Sequence, residues 1–187
     1  MEAAGAVFAE RGFEAAPMSE IAARAEVSLA TVYDLFDGKE DLYRSALTEA
    51  SASILASVTR AVEALTDPGE RLRALPAALC ACFEENRDLL RIYVRDAHGM
   101  PWRARNAMGA EGEPILREFD AWLMKLAEDA AAAGLLKVTT ARVFAFVIEG
   151  AITTTALRVM ELTPEENLET MVPELRAVVT RLLESDT

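Results

Sequence analysis

Residues 21–42 read Ile21-Ala22-Ala23-Arg24-Ala25-Glu26-Val27-Ser28-Leu29-Ala30-Thr31-Val32-Tyr33-Asp34-Leu35-Phe36-Asp37-Gly38-Lys39-Glu40-Asp41-Leu42. Apolar residues recur at helical spacing on both sides of Glu26-Val27-Ser28, and those three residues have the length of a helix-turn-helix turn. Val27 is expected to pack into the core, and Ser28 to cap the helix that follows. In such a unit the second helix lies in the major groove of DNA, with its N-terminal residues at the base edges. Upstream, residues 1–11 form a first helix with Ala4, Val7 and Phe8 inward. Residues 17–25 form a second with Met18, Ile21 and Ala22 inward, and residues 28–36 a third.

Beyond this stretch the helical period continues. Leu42, Tyr43, Ala46, Leu47, Ala50, Ile54, Val58, Ala61, Val62 and Leu65 keep one stripe on a helix long enough to connect two parts. It should stop near Thr66, where Asp67-Pro68-Gly69-Glu70 offers an N-cap, a proline at the first position and a capping-box Glu. Residues 102–114 are rich in Gly, Ala and polar residues and read as a loop. Ile115 to Leu126 then define an amphipathic helix that runs to a C-cap at Gly134. Thr139 caps a very apolar helix through Met160, and Thr163-Pro164-Glu165-Glu166 opens the last one. No stretch alternates strictly, so the fold class is all-α. We divide the chain into residues 1–47, a helix-turn-helix domain, and 48–187, a helical ligand-binding and dimerisation domain.

The two terminal apolar helices predict a homodimer through a four-helix bundle, because a monomer of 187 residues has difficulty surrounding a helix with so little polar face. Unbroken apolar runs such as residues 143–148 are too short for a membrane span, so no membrane partner is expected. Met1 leads into a helical pattern with no secretory signal, so the expected location is cytoplasmic. Cys80 and Cys82 lie two apart and so point to different sides of a helix, which makes them buried thiols rather than a disulfide. His98, the only histidine, reads as a helix-end residue. With no metal-ligand cluster, no Ser/His/Asp order and no phosphate-cradling loop, the chain is expected to be no enzyme and to need no cofactor or metal.

Phe8-Ala9-Glu10-Arg11-Gly12-Phe13, then residues 21–28, then residues 31–42, follow one family's signature in order, and the chain resembles a TetR family transcriptional regulator. The resemblance implies a ligand-responsive DNA-binding regulator, a repressor released from double-stranded operator DNA by a small molecule. Carried over position by position, it implies DNA contacts from Ser28, Leu29, Ala30, Thr31 and Tyr33, and a phosphate contact from Lys39. Leu29 and Ala30 can meet a thymine methyl but give no bidentate guanine contact.

In the family a pocket among the middle helices takes the effector, and its occupation changes the separation of the two reading heads. Here Phe83, Tyr93, Trp122 and Phe146 are the expected lining. Glu149, a carboxylate in the most apolar helix, either recognises a ligand's donor or cationic group or pairs across the dimer with Arg142 or Arg158. The sequence departs from the family pattern at Glu26, where the turn usually has Gly, and at Leu29, where a basic residue is common. Residues 1–47 hold four basic residues against nine acidic ones, within a chain of net charge -12. The alternative is therefore a TetR-like dimeric ligand-binding protein whose acidic helix-turn-helix no longer binds operator DNA.

Overall fold

The computed structural model describes residues 1–96, 101–136, 139–163 and 165–183, with the side chains of residues 89, 93–96 and 101–107 outside that description. Among the described residues all regular structure is helical: α1 (Glu2–Ala15), α2 (Met18–Arg24), α3 (Leu29–Leu35), α4 (Lys39–Glu63), α5 (Pro68–Glu85), α6 (Arg87–Asp96), α7 (Pro101–Ala132), α8 (Ala141–Leu162) and α9 (Val172–Leu183). A short 3-10 turn, Leu168–Met171, precedes α9. The all-α expectation holds.

The chain forms two compact units, Met1–Ser53 with Asn86–Leu116, and Ile54–Glu85 with Arg117–Thr187. In the first, α2 packs on α1 and α3, and α6 packs on α1. Ala4, Val7 and Phe8 of α1, Met18, Ile21 and Ala22 of α2, Val32 of α3 and Leu42, Tyr43, Ala46 and Leu47 of α4 are buried there. The Tyr43 ring stands edge-on to Phe8 at 4.9 Å and tilted against Phe13 at 5.0 Å. Full burial of a side chain such as Phe8 contributes about 1.5–3 kcal/mol, and the ring pairs add to it. In the second unit α5 packs on α8, α9 and the 3-10 turn, with Leu72, Leu75, Leu79, Phe144, Ile148, Ile152, Leu168 and Val179 buried.

Most predicted boundaries hold. Gly12 carries φ 77 and ψ 164, and turns the chain within α1. Asp67 caps α5 by accepting the N–H of Glu70 at 2.8 Å. Gly134, at φ 74, follows α7 as a C-cap residue. Five expectations are corrected. Residues 102–114 are helix, not loop: α7 runs from Pro101 to Ala132 across a kink at Gly109 (φ 62, ψ −157). Met108 is fully buried, with its sulfur 3.3 Å from the Ser51 hydroxyl, and that packing outweighs the low propensity of the surrounding Gly and Pro.

α4 ends at Glu63, short of Thr66. The cap of α8 is Thr140, whose hydroxyl accepts from the N–H of Val143 at 3.3 Å. Thr163 and Glu166 do bond, at 2.9 Å, but α9 starts only at Val172, after a 3-10 turn capped by Asn167. Val27 is exposed rather than in the core. Pro164 and His98 lie outside the described residues.

α8 is long and apolar enough to cross a membrane, by length and composition alone. The apolar run is divided by Glu149 and Gly150, which is why counting consecutive apolar residues gave no such segment. One face of α8 is buried through Phe144, Ile148, Ile152 and Ala156, while Val143, Phe146 and Val147 are exposed.

Candidate nucleic-acid interface

The turn between α2 and α3 is built from backbone bonds. The N–H of Glu26 donates to the carbonyl of Ala23 at 3.2 Å and that of Val27 to Ala22 at 3.0 Å, which closes α2 with Glu26 at φ 57. Ser28 then starts α3: its hydroxyl oxygen accepts the N–H of Thr31 at 3.0 Å and lies 2.8 Å from the Thr31 hydroxyl. Such a cap contributes about 1 kcal/mol to the helix it opens.

Val32 is the only buried residue of α3. At 3.6 residues per turn, Ala30 and Asp34 lie opposite it, with Leu29 and Tyr33 along one flank and Thr31 and Leu35 along the other. All six are exposed, Tyr33 by 54% and Leu35 by 70%. Ser28, Leu29, Ala30, Thr31 and Tyr33 thus share one open surface. Leu35 and Asp34 belong to the same surface; the i, i+4 spacing of Leu35 from Thr31 is the signal that would have found it.

Lys39 opens α4, three residues after the C-cap Phe36 of α3. Its ammonium donates to the carbonyls of Glu14 at 2.8 Å and Ala16 at 3.3 Å, and lies 5.0 Å from the centre of the Phe13 ring. It therefore ties the start of α4 to the end of α1.

The guanidinium of Arg24 donates to both Glu10 oxygens, one at 2.7 Å, and to Glu20 at 3.0 Å; Arg11 pairs with Glu20 at 3.2 Å. The Arg24 hydrogen bond holds the Glu10 carboxyl below its ordinary value, and the same contact raises Arg24 further. Two of the four cations in residues 1–47 are thus neutralised by acidic neighbours.

The residues expected to line an effector pocket lie on α5, α6, α7 and α8. Phe83 is buried on α5. Trp122 of α7 is half-buried, tilted against Phe119 at 5.9 Å, and its indole N–H donates to Glu63 at 3.2 Å. Local spacing carries no sign of this bond, because 59 residues separate Glu63 from Trp122. Phe146 is 55% exposed on α8, with the Arg142 guanidinium 5.7 Å from its ring centre. Glu149 is half-buried on the same helix, and Arg158 pairs with Glu161 at 2.7 Å. Tyr93 lies on α6 in the first unit, with its side chain outside the described residues.

Cys80 and Cys82 are buried and not joined in a disulfide; burial, with Glu84 nearby, pushes Cys80 up to about 11. Among the described residues no group of three or more His, Cys, Asp or Glu side chains is arranged to hold a metal ion.

Comparison with known proteins bears on both units. Residues 1–46 match the family described as bacterial regulatory proteins, tetR family. The HTH-type transcriptional activator FasR of Mycolicibacterium smegmatis is 38% identical over 84 residues, which are 45% of this chain and 38% of that protein. The alignment thus spans well under half of that relative's length. Two solved structures share the fold. The fatty acid degradation regulator FadR of Bacillus halodurans has a TM-score of 0.82 at 20% identity, over 98% of this chain and 93% of that one. FadR of Bacillus subtilis, in complex with stearoyl-CoA, has a TM-score of 0.81 at 18% identity, over 98% and 97%.

Proposed function

The chain belongs to the TetR family through its N-terminal domain, and from that premise we propose that it is a ligand-responsive transcriptional regulator that binds operator DNA as a homodimer. The observation that carries this reading is the open face of α3, where Ser28, Leu29, Ala30, Thr31 and Tyr33 are exposed behind a formed N-cap. Residues 1–47 act as the reading head in this proposal and residues 48–187 as the effector-binding and dimerisation domain. Such a regulator works in the cytoplasm, where its DNA is.

The second half of the dimer reading rests on α8. Val143, Phe146 and Val147 stand at i, i+3 and i+4 on its exposed side, and Val178 of α9 is exposed as well. An apolar stripe of this kind is the seam of a helical bundle between copies. A Cβ at Gly150 would meet nothing within 4 Å inside the monomer, so the position has room for the start of a side chain facing the proposed seam. Gly150→Leu and Phe146→Asp are expected to shift the sedimenting species from dimer to monomer without loss of helix content.

For the effector, the stearoyl-CoA bound to the Bacillus subtilis structure supports long-chain acyl thioesters as the first compounds to test. Phe83 and Trp122 are the proposed apolar contacts. A ligand acts only if it prefers one of the two states of the dimer, so its effect is a change in operator affinity. Release from the operator is the proposed direction, as in a repressor.

The test is selection of bound fragments from sheared genomic DNA at about 0.1 M salt, where a few phosphate contacts still count, with Tyr33→Ala as control. A palindromic site enriched by the wild type and lost in the variant supports the regulator. No enrichment from a folded dimer favours the second reading, a TetR-like sensor without operator binding. The observation behind that reading is the neutralisation of Arg11 and Arg24 by Glu10 and Glu20.

A further inference from the structure

We propose that α3 reads the C5-methyl groups of thymine, with Leu29 as the principal specificity-determining contact and Thr31 and Leu35 as the apolar contacts of the opposite flank. The proposal rests on the operator-binding reading above. It follows from what the exposed face can offer to a base edge. Leu29–Leu35 contains no Arg, Lys, Asn or Gln, so no side chain on the helix can make the bidentate contacts that recognise guanine or adenine. The Thr31 hydroxyl lies 2.8 Å from the Ser28 hydroxyl, and its own N–H donates to Ser28, so part of its polar capacity is engaged within the helix cap while its methyl group is available to an apolar contact.

The cations nearby do not make up the deficit. Arg24 and Arg11 are held by Glu10 and Glu20, and Lys39 by the carbonyls of Glu14 and Ala16. Apart from the Tyr33 hydroxyl and the Asp34 carboxylate, an acceptor suited to the cytosine N4 amino group, the outward surface is apolar: Leu29 at 41% exposure, Leu35 at 70%, and Ala30 between the flanks, small enough to let the helix sit deep in the groove. In the major groove only thymine presents a methyl group, so an apolar face discriminates by burying methyls.

The test uses the full chain and two random duplex libraries, one with thymine and one with deoxyuridine throughout. The thymine library is expected to yield a site and the deoxyuridine library a markedly weaker one. Within the selected site, deoxyuridine at each thymine in turn should cost about fourfold in affinity wherever a methyl is buried, from the transfer value of one such group. Replacement with 5-bromodeoxyuridine, which refills that volume, should restore binding. Leu29→Ala, at an exposed position that leaves the fold intact, should bind the thymine and deoxyuridine forms alike at one thymine per half-site. A selected site that contains no thymine, or binding indifferent to deoxyuridine at every position, would overturn the proposal while leaving the regulator standing. If neither library yields a bound duplex, the operator-binding reading itself falls and the proposal with it.

Discussion

The backbone N–H of Val27 donates to the carbonyl oxygen of Ala22 at 3.0 Å, across a residue, Glu26, held at φ 57. Leu135 and Ala130 make the same bond at the end of α7, also at 3.0 Å, and the residue they span is Gly134 at φ 74. The two helix ends share one hydrogen-bond pattern, and only one has the residue that adopts it without strain. Glu26→Gly is therefore expected to stabilise the protein by about 0.5–1 kcal/mol in urea unfolding, the size of one relieved left-handed residue. Glu26→Gln removes the charge and keeps the strain, so it should leave stability unchanged. Both changes should raise affinity for any duplex, because each removes a negative charge beside α3. Equal stability of the Gly and wild-type proteins would show that the turn carries no strain.

Lys39, which the family resemblance places at a phosphate, donates within the chain to the carbonyls of Glu14 and Ala16. Lys39→Ala then loses two charge-assisted hydrogen bonds and the ring contact with Phe13, a cost of about 1–3 kcal/mol. Lys39→Met retains the aliphatic stem and should recover part of it. Urea unfolding measures both. The salt dependence of DNA binding separates the roles: a slope that falls by about one in Lys39→Met assigns the third N–H to a phosphate, and an unchanged slope makes the residue purely structural.

The Glu10 carboxyl is lowered below 4.5 in the folded protein by its hydrogen bond to Arg24. A carboxyl with a depressed folded value contributes stability above its unfolded value and loses it as pH falls through the folded one. The acid branch of the stability profile should thus be shallower in Glu10→Gln than in wild type below about pH 4.5. Both partners are exposed, so the difference should shrink in high salt. Parallel acid branches in the two proteins would remove the pair from the pH response.

Cys80 behaves in the opposite sense. Its thiol, pushed up to about 11 from 9.0 by burial, is neutral at pH 7 and a poor nucleophile. Alkylation of the folded protein should be slow at pH 7 and become complete on unfolding. Since the unfolded thiol ionises first, this residue's contribution to stability is present below pH 9 and lost as pH rises towards 11. Cys80→Ala should flatten that alkaline decline. Rapid labelling of native Cys80 at neutral pH would contradict the burial that sets its value.

How much was legible follows the distance over which each feature is determined. Ser28, Asp67 and Gly134 announce themselves within four residues, and each sits where the spacing placed it. The α3 face was legible for the same reason, since Val32 alone turns inward. Features set by distant residues were not legible. The bond from Trp122 to Glu63 and the anchoring of Lys39 on α1 depend on which helices meet, and no local period encodes that. Residues 102–114 misled because Gly and Pro dominate short-range propensity, whereas the burial of Met108 decides the outcome. The 55% exposure of Phe146 likewise depends on which helices cover α8, and its place in a middle helix carries no sign of it.

Two glycines of α7 resist substitution for different reasons. Gly109 combines φ 62 with ψ −157, a region closed to side-chain-bearing residues, while a Cβ there would meet the Arg44 side chain at an ordinary 3.4 Å. Its requirement is conformational, so Gly109→Ala and Gly109→Asn should both cost about 1–3 kcal/mol; Asn gains nothing from its tolerance of the left-handed helical region, because the ψ differs. Gly112 has no such φ, but a Cβ would lie 2.3 Å from Cβ of the fully buried Met108, so its requirement is one of space. Met108→Ala leaves that Cβ in place and Met108→Gly removes it. A double-mutant cycle therefore separates the two positions: Met108→Gly should relieve Gly112→Ala and leave Gly109→Ala as costly as before. Rescue of Gly109→Ala by Met108→Gly would mean that the kink is a packing effect rather than a backbone one.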